Sequence, residues 1–327
     1  MTDSSPPSGP VVAIDLGGTD VKAALVAPDG SVLRWMRRPT HRARGPEAVL
    51  ATVVDTATTL AAVSRDVCER QPLAVGVVVP GIVDERRGLA VYAANLGWRD
   101  LALRDVLSQR LGLPVALGHD VRAGALAEGR AGAARGTDDF LFVAIGTGIA
   151  AAQVRDGAVH GGRHGGAGEL GHLTVRRSGP KCGCGARGCV ESLASASAVA
   201  RRYIRALRRL EGPGAPRPTA EQVSRLAATG DPVARRVWDD AVAALADGLA
   251  TCTVLNDPGL IVLGGGLARA GDTLLGPLRT ALAERLRFHR APELIVAELG
   301  TAAGCHGAAL LALDLVGVTA RPTGALT

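Results

Sequence analysis

Four apolar runs along the chain end in glycine: "VVAIDLGG" (11–18), "LAVGVVVPG" (73–81), "LFVAIGTG" (141–148) and "LIVLGGG" (260–266). Each predicts a buried strand that delivers a glycine-rich turn at its end. A fifth run, "LPVALGH" (113–119), reads as another apolar strand. Helical patterns lie between them. The segment 47–63 is long and apolar enough for a helix. At 231–255, Asp231 offers an N-cap and Pro232 suits the first helical position. Val233, Val237, Ala241, Leu245, Leu249 and Cys252 then follow at spacings of three or four, and "NDPG" (256–259) stops the helix. Arg201, Arg202, Arg205, Arg208 and Arg209 share one helical face, which predicts a solvated surface with Tyr203, Leu207 and Leu210 turned inward. Residues 211–219 read as an aperiodic loop. Strands alternating with helices predict α/β layers. The recurrence of strand plus glycine turn, early and again mid-chain, suits two related lobes around a cleft.

Composition narrows the picture. Hydrophobic residues make up 47% of the 327 positions and aromatics only 2%, so Val, Leu, Ile and Ala must fill the core. The net charge of +6 favours anionic ligands in general without specifying nucleic acid, and the scarcity of aromatics argues against a single-strand binder. The polar start "MTDSSPPSGP" (1–10) lacks the pattern of a signal peptide and reads as a disordered lead-in. No uninterrupted apolar run is long enough to span a bilayer. These features predict a cytoplasmic chain with no membrane partner, whose clustered cysteines point to metal or redox chemistry before disulfides.

That cluster is Cys182-x-Cys184-x₄-Cys189, with His172 upstream. Three thiolates and one imidazole form the ligand set of a closed tetrahedral zinc site. Free buried thiols or a reactive cysteine are the alternative. Glycines 183, 185 and 188 separate the cysteines and supply the backbone freedom a metal-wrapping turn needs. Four protein ligands leave no open position, so such a zinc would be structural.

"HGGAGELGHLTV" followed by "CGCGARGCVE" resembles the paired signature of the ROK family, which contains bacterial sugar kinases and sugar-responsive repressors. "DLGGT" (15–19), "PGIVD" (80–84), "AANLGW" (93–98), "HD" (119–120), "GTGI" (146–149) and "GGG" (264–266) match in the expected order. The resemblance implies an actin-like ATPase fold of two α/β lobes around a cleft. It places residues 1–118 and a terminal helix (306–327) in a small lobe, and residues 119–305 with the zinc loop in a large one. It further implies ATP-dependent phosphorylation of a hexose at the 6-hydroxyl, with glucose or an N-acetylhexosamine such as N-acetylglucosamine or N-acetylmannosamine as substrate. Homodimers or homotetramers are expected, without nucleic acid.

By the same resemblance, Asp120 is the general base. Asn95, His119, Asp120, Glu169, His172, Glu191 and Gly81 meet the sugar. The turn Asp15, Gly17, Gly18 and Thr19, with Gly146, Thr147, Gly148, Gly264 and Gly265, holds ATP and Mg²⁺. His172, Cys182, Cys184 and Cys189 hold the structural Zn²⁺, so the thiols fix the loop that presents Glu169, His172 and Glu191. The chain departs from the family pattern in three places. His119 stands where Asn is usual, Asp20 replaces the lysine after "GGT" with Lys22 two positions on, and alanines 150–152 follow "GTGI". Repressors of the family carry a helix-turn-helix before the first strand, which here starts at residue 11. A sugar-binding sensor without turnover is the competing expectation.

Overall fold

A computed structural model of the chain describes residues 9–212, 214 and 216–318. Most of the expected lead-in lies outside these residues, as does 319–327 of the expected terminal helix. Gly9 and Pro10, counted in the lead-in, are buried, and the Pro10 carbonyl accepts from the Leu73 amide at 2.8 Å. The described residues fall into two compact units, one within 9–136, 158–167 and 302–318, the other within 137–157 and 168–301.

The first unit is built on five strands: β1 (Val11–Leu16), β2 (Asp20–Val26), β3 (Val32–Pro39), β4 (Val75–Val79) and, after a three-stranded sheet of β5 (Ile82–Asp84), β6 (Leu89–Ala93) and β7 (Trp98–Leu101), β8 (Val115–His119). The larger sheet runs β3-β2-β1-β4-β8, with β1, β4 and β8 parallel and the first three strands an antiparallel meander. β1 and β4 are almost wholly buried, as strands covered on both faces must be. Helix α1 (Pro46–Cys68) packs Val49, Leu50, Val53, Ala57 and Leu60 into the core cluster that contains Ile14, Val77 and Leu117. Each fully buried leucine there contributes about 1.5–3 kcal/mol. By length and composition alone α1 could cross a membrane, but Asp55 interrupts its apolar run and this packing makes it a core helix. Helices α2 (Leu103–Leu111) and α3 (Asp120–Ala131) follow, and a C-terminal helix, Ala303–Leu315, buries Cys305, Ala308, Ala312 and Leu313.

The second unit holds β9 (Phe140–Ile145), β10 (Ile149–Arg155), β11 (Leu260–Gly264) and β12 (Glu293–Val296), with hydrogen-bonded neighbours in the order β10-β9-β11-β12. β9, β11 and β12 are parallel, and β10 returns antiparallel from the turn at 146–148. The three alanines after this turn belong to β10, where the methyls of Ala151 and Ala152 are buried in the core. Five helices follow: α4 (Val190–Ala194), α5 (Ala196–Glu211), α6 (Ala220–Ala228), α7 (Pro232–Asn256) and α8 (Asp272–Arg285). The Asp231 carboxylate accepts from the Ala234 amide at 2.6 Å, capping α7 as its sequence predicts. Leu210 departs from expectation: it is 71% exposed, because the core on which α5 packs reaches only to Leu207.

Candidate functional site

In the first unit the parallel strands β1, β4 and β8 deliver their carboxyl ends side by side, Asp15 beside Val78 and Val79 beside His119. This edge of an α/β sheet is where ligands characteristically bind. Asp15 lies in the last turn of β1 and is nearly buried; burial pushes its carboxyl up to about 6, Lys22 opposes this, and the charge of Asp120 adds to it. The Lys22 ammonium reaches the Asp15 carboxylate at 3.4 Å from the facing position on β2, while Asp20 turns to Arg37 at 2.8 Å. Residue 304 must be glycine, since a Cβ there would come within 2.7 Å of the Asp15 carboxylate. The turn after Asp15 is closed by the Gly17 amide donating to Asp20 and by Thr40 donating to the Gly17 carbonyl. The amides of Gly18 and Thr19 keep no protein acceptor among the described residues. Gly18 lies against the Asn95 amide, whose nitrogen would be 3.3 Å from a Cβ at that position. Gly81 follows β4, packed on the Tyr92 carbonyl.

His119 and Asp120 stand where β8 passes into α3. The N-cap of α3 is His119: its Nδ1 accepts from the Arg122 amide at 3.3 Å. An accepting Nδ1 leaves the proton on Nε2, which faces the Asp120 Oδ1 at 3.4 Å. Burial pushes the His119 imidazolium down to about 3, so the ring is neutral and stands beside the carboxylate without an ion pair. Asp120 Oδ1 accepts from the Val121 amide at 2.8 Å. Burial raises the Asp120 pKa, with Arg122 and Lys22 opposing.

Beneath this pair lies a group that sequence reading does not find. Arg122 is 4% exposed; it donates to Glu85 at 2.8 Å and to the Val83 and Gly165 carbonyls at 3.0 Å each. Glu85 in turn accepts from the His119 amide at 3.1 Å. Every guanidinium contact is made to a fixed partner, so the start of α3 is locked in place.

In the second unit the glycine turns again gather at strand ends. Gly146–Gly148 follow β9, and Gly264 and Gly265 follow β11, where a Cβ on Gly265 would lie 2.5 Å from the Ile145 carbonyl. The Gly146 amide closes its own turn onto Gly148, and the amides of Thr147 and Gly148 have no protein acceptor among the described residues. Glu191 accepts from the Ile149 amide at 2.9 Å, which fastens the start of α4 to this turn.

The cysteine segment is a hairpin: Lys181 pairs with Arg187 and Thr174 with Cys189. Gly188 sits at φ +70°, and a Cβ there would meet the Arg176 carbonyl, so no side chain fits. The ligand atoms of His172, Cys182, Cys184 and Cys189 all lie within 4.8 Å of one another. Cys184 and Cys189 are 3.7 Å apart sulfur to sulfur, and Cys182 is 3.7 Å from His172 Nδ1. Zinc–sulfur bonds of about 2.3 Å at the tetrahedral angle place neighbouring sulfurs about 3.8 Å apart, so the donor set fits the ion. Burial pushes the Cys189 thiol up to about 12, a position in which a thiolate requires a cation beside it. The other ring nitrogen of His172, Nε2, stands 3.8 Å from the Glu169 carboxylate.

The ROK family model matches residues 11–315. The chain is 34% identical to the glucokinase of Thermotoga maritima, over 94% of this chain and 98% of that one. Among solved structures, the ROK hexokinase of Thermus thermophilus aligns with a TM-score of 0.79 at 35% identity, over 94% of this chain and 99% of that one. A ROK glucokinase of Streptomyces griseus, in complex with glucose and AMPPNP, aligns with a TM-score of 0.80 at 30% identity, over 94% of this chain and all of the other. Over nearly its whole described length, then, this chain has the actin-like ATPase fold and belongs to the ROK family.

Proposed function

We propose that the chain is an ATP-dependent sugar kinase that phosphorylates the 6-hydroxyl of a hexose, either glucose or an N-acetylhexosamine. The observation that carries this reading is Asp120: a carboxylate at a parallel-strand end, made more basic by burial, held by the Val121 amide with the neutral His119 ring alongside, and beside a second nearly buried carboxylate, Asp15. Asp120 takes the proton of the sugar hydroxyl as its oxygen bonds to the γ-phosphorus. The bond between that phosphorus and the β,γ-bridging oxygen breaks, and ADP leaves with the electron pair. The unpaired amides of Gly18, Thr19, Thr147 and Gly148 suit phosphate oxygens, and Gly264 and Gly265 the adenosine. Mg²⁺, a hard cation that favours carboxylate oxygens, would be organised by Asp15 and would neutralise phosphate charge. Asn95, Glu169, His172, Glu191 and Gly81 are the proposed sugar contacts, with Glu191 also bound to the turn at 148–149. Zn²⁺ on His172, Cys182, Cys184 and Cys189 would supply rigidity only.

ADP release over a panel of aldohexoses and N-acetylhexosamines tests this. Turnover is expected with at least one of them, falling about 10²–10⁴-fold in Asp120→Asn. No turnover with any sugar, or an undiminished Asp120→Asn variant, overturns the reading.

A further inference from the structure

The arginine face of α5 is more than a solvated surface. Arg201, Arg205, Arg208, Arg209 and Arg217 line an open concavity of about 810 Å³, and Arg201 and Arg205 also border a second of about 390 Å³. The far wall of the second is the thiol hairpin, through Lys181, Arg187 and Pro180. Several arginines elsewhere on the chain are met by acids, among them Arg122 by Glu85, Arg130 by Asp314, Arg225 by Glu221 and Arg285 by Asp247. Arg202, on the same helix, is anchored to Asp240 and to the Leu193 carbonyl. The five arginines of the larger concavity, with Lys181 and Arg187, have no acidic partner among the described residues. These seven cations outnumber the net charge of +6 on the whole chain.

We infer that these adjoining concavities form a binding site for a short oligophosphate, separate from the sugar and nucleotide residues. Planar guanidinium forks bind phosphate oxygens in pairs. Arg201 to Arg209 spans about 12 Å along the helix axis, more than one phosphate bridges. No aromatic side chain lines either hollow, so there is no surface on which a nucleic-acid base would stack. The cations line hollows and not a projecting ridge, which suits a short flexible anion over a rigid duplex. A second copy of the chain brought up across a two-fold axis would set the cations against themselves. Because Lys181 and Arg187 flank the cysteines, an anion held between them and α5 ties the hairpin to the helix.

Isothermal titration of the full chain with inorganic tripolyphosphate, at low salt and at 150 mM NaCl, tests the site. Saturable binding that weakens with salt is expected, reduced about ten- to hundredfold in Arg201→Gln/Arg205→Gln. Basal turnover of that variant should be unchanged. Amides of residues 180–188 should exchange more slowly with tripolyphosphate present in the wild type and not in the variant. Absence of binding, or equal binding by the variant, overturns the proposal, the latter by placing the anion on the glycine turns. Duplex DNA bound in preference to tripolyphosphate overturns it in favour of a nucleic-acid surface.

Discussion

The two polar groups of this chain are held by opposite means. In the first unit, Asp15, His119, Asp120 and Arg122 sit at the ends of buried strands and the start of a helix, and the protein itself satisfies them. In the second, Cys182 and Cys184 sit on a hairpin of residues 180–188 that is largely exposed and rich in glycine, with His172 before it and Cys189 directly after it. Its backbone bonds tie Cys182 to Ala186, Gly185 to Cys182 and Gly188 to Pro180, and the apolar packing lies on either side of it, through Leu170 and Leu173 before and Val190 and Leu193 after. The core therefore organises one group before any ligand arrives. The other has the donor atoms of a metal site on a loop with little packing of its own, where a bound cation would add rigidity. The comparison sets fixed hydrogen bonds in one case against a donor set suited to a divalent cation in the other.

The sharpest way to break this contrast is to remove one thiol. A structural zinc contributes on the order of 10 kcal/mol to ordering a small site. Metal analysis should find one zinc per chain, and Cys184→Ser should lose it along with most of the sugar affinity measured by calorimetry. The strands of the first unit, which share none of this hairpin, should keep their amide protection in the variant. A zinc-free variant that binds sugar normally would show that the hairpin orders itself.

The complementary break is Arg122→Met in the first unit. Methionine preserves much of the bulk but strands the Val83 and Gly165 carbonyls and leaves Glu85 without its cation. Unsatisfied buried acceptors cost about 1–3 kcal/mol each, so a loss of roughly 2–4 kcal/mol in urea unfolding is expected, with a fall in turnover as the start of α3 loosens. Glu85 is 40% exposed at its side chain, so Glu85→Gln should cost less than Arg122→Met. Equal stability of wild type and Arg122→Met would mean that Asp120 is positioned by its strand alone.

What could be read beforehand follows the same division. Continuous apolar runs ending in glycine announce β1, β4, β9 and β11, because strands covered on both faces need no polar positions. Cysteine spacing announces the hairpin, because metal ligands must be near in sequence to close a small loop. The strand β3 is not legible, since Leu33 and Met36, which pack against the core, fall three apart among Arg34, Trp35 and Arg37 and leave no period of two. Nor was Arg122: its partners lie 37 and 43 residues away, and from sequence it reads as a surface position of a helix. The spacing rule that correctly buried Leu207 also buried Leu210, because periodicity marks a face without saying where the partner core ends. Long-range polar satisfaction leaves no periodic trace in a sequence, yet it is what fixes Asp120.

The mildest test separates the two jobs of His119. Its ring caps α3 through Nδ1 and meets Asp120 through Nε2, while Glu85 and Arg122 are the other charged groups beside it. The folded imidazole titrates at about 3, well below the ordinary 6.5, because burial and Arg122 disfavour its charged form. A base whose folded value is lowered contributes stability that is complete above 6.5. As pH falls below that, the unfolded chain takes up the proton first and stability declines by about 1.4 kcal/mol per unit. Asparagine is an equally good helix cap and does not titrate, so His119→Asn keeps the Arg122 contact and removes only the proton linkage. Urea unfolding at pH 8 and pH 5 should show the wild type losing about 2 kcal/mol more than the variant on acidification. An identical loss in both would mean that the ring is charged in the folded protein and pairs with Asp120 as an ion, in which case charge, and not the Val121 amide alone, would place that carboxylate.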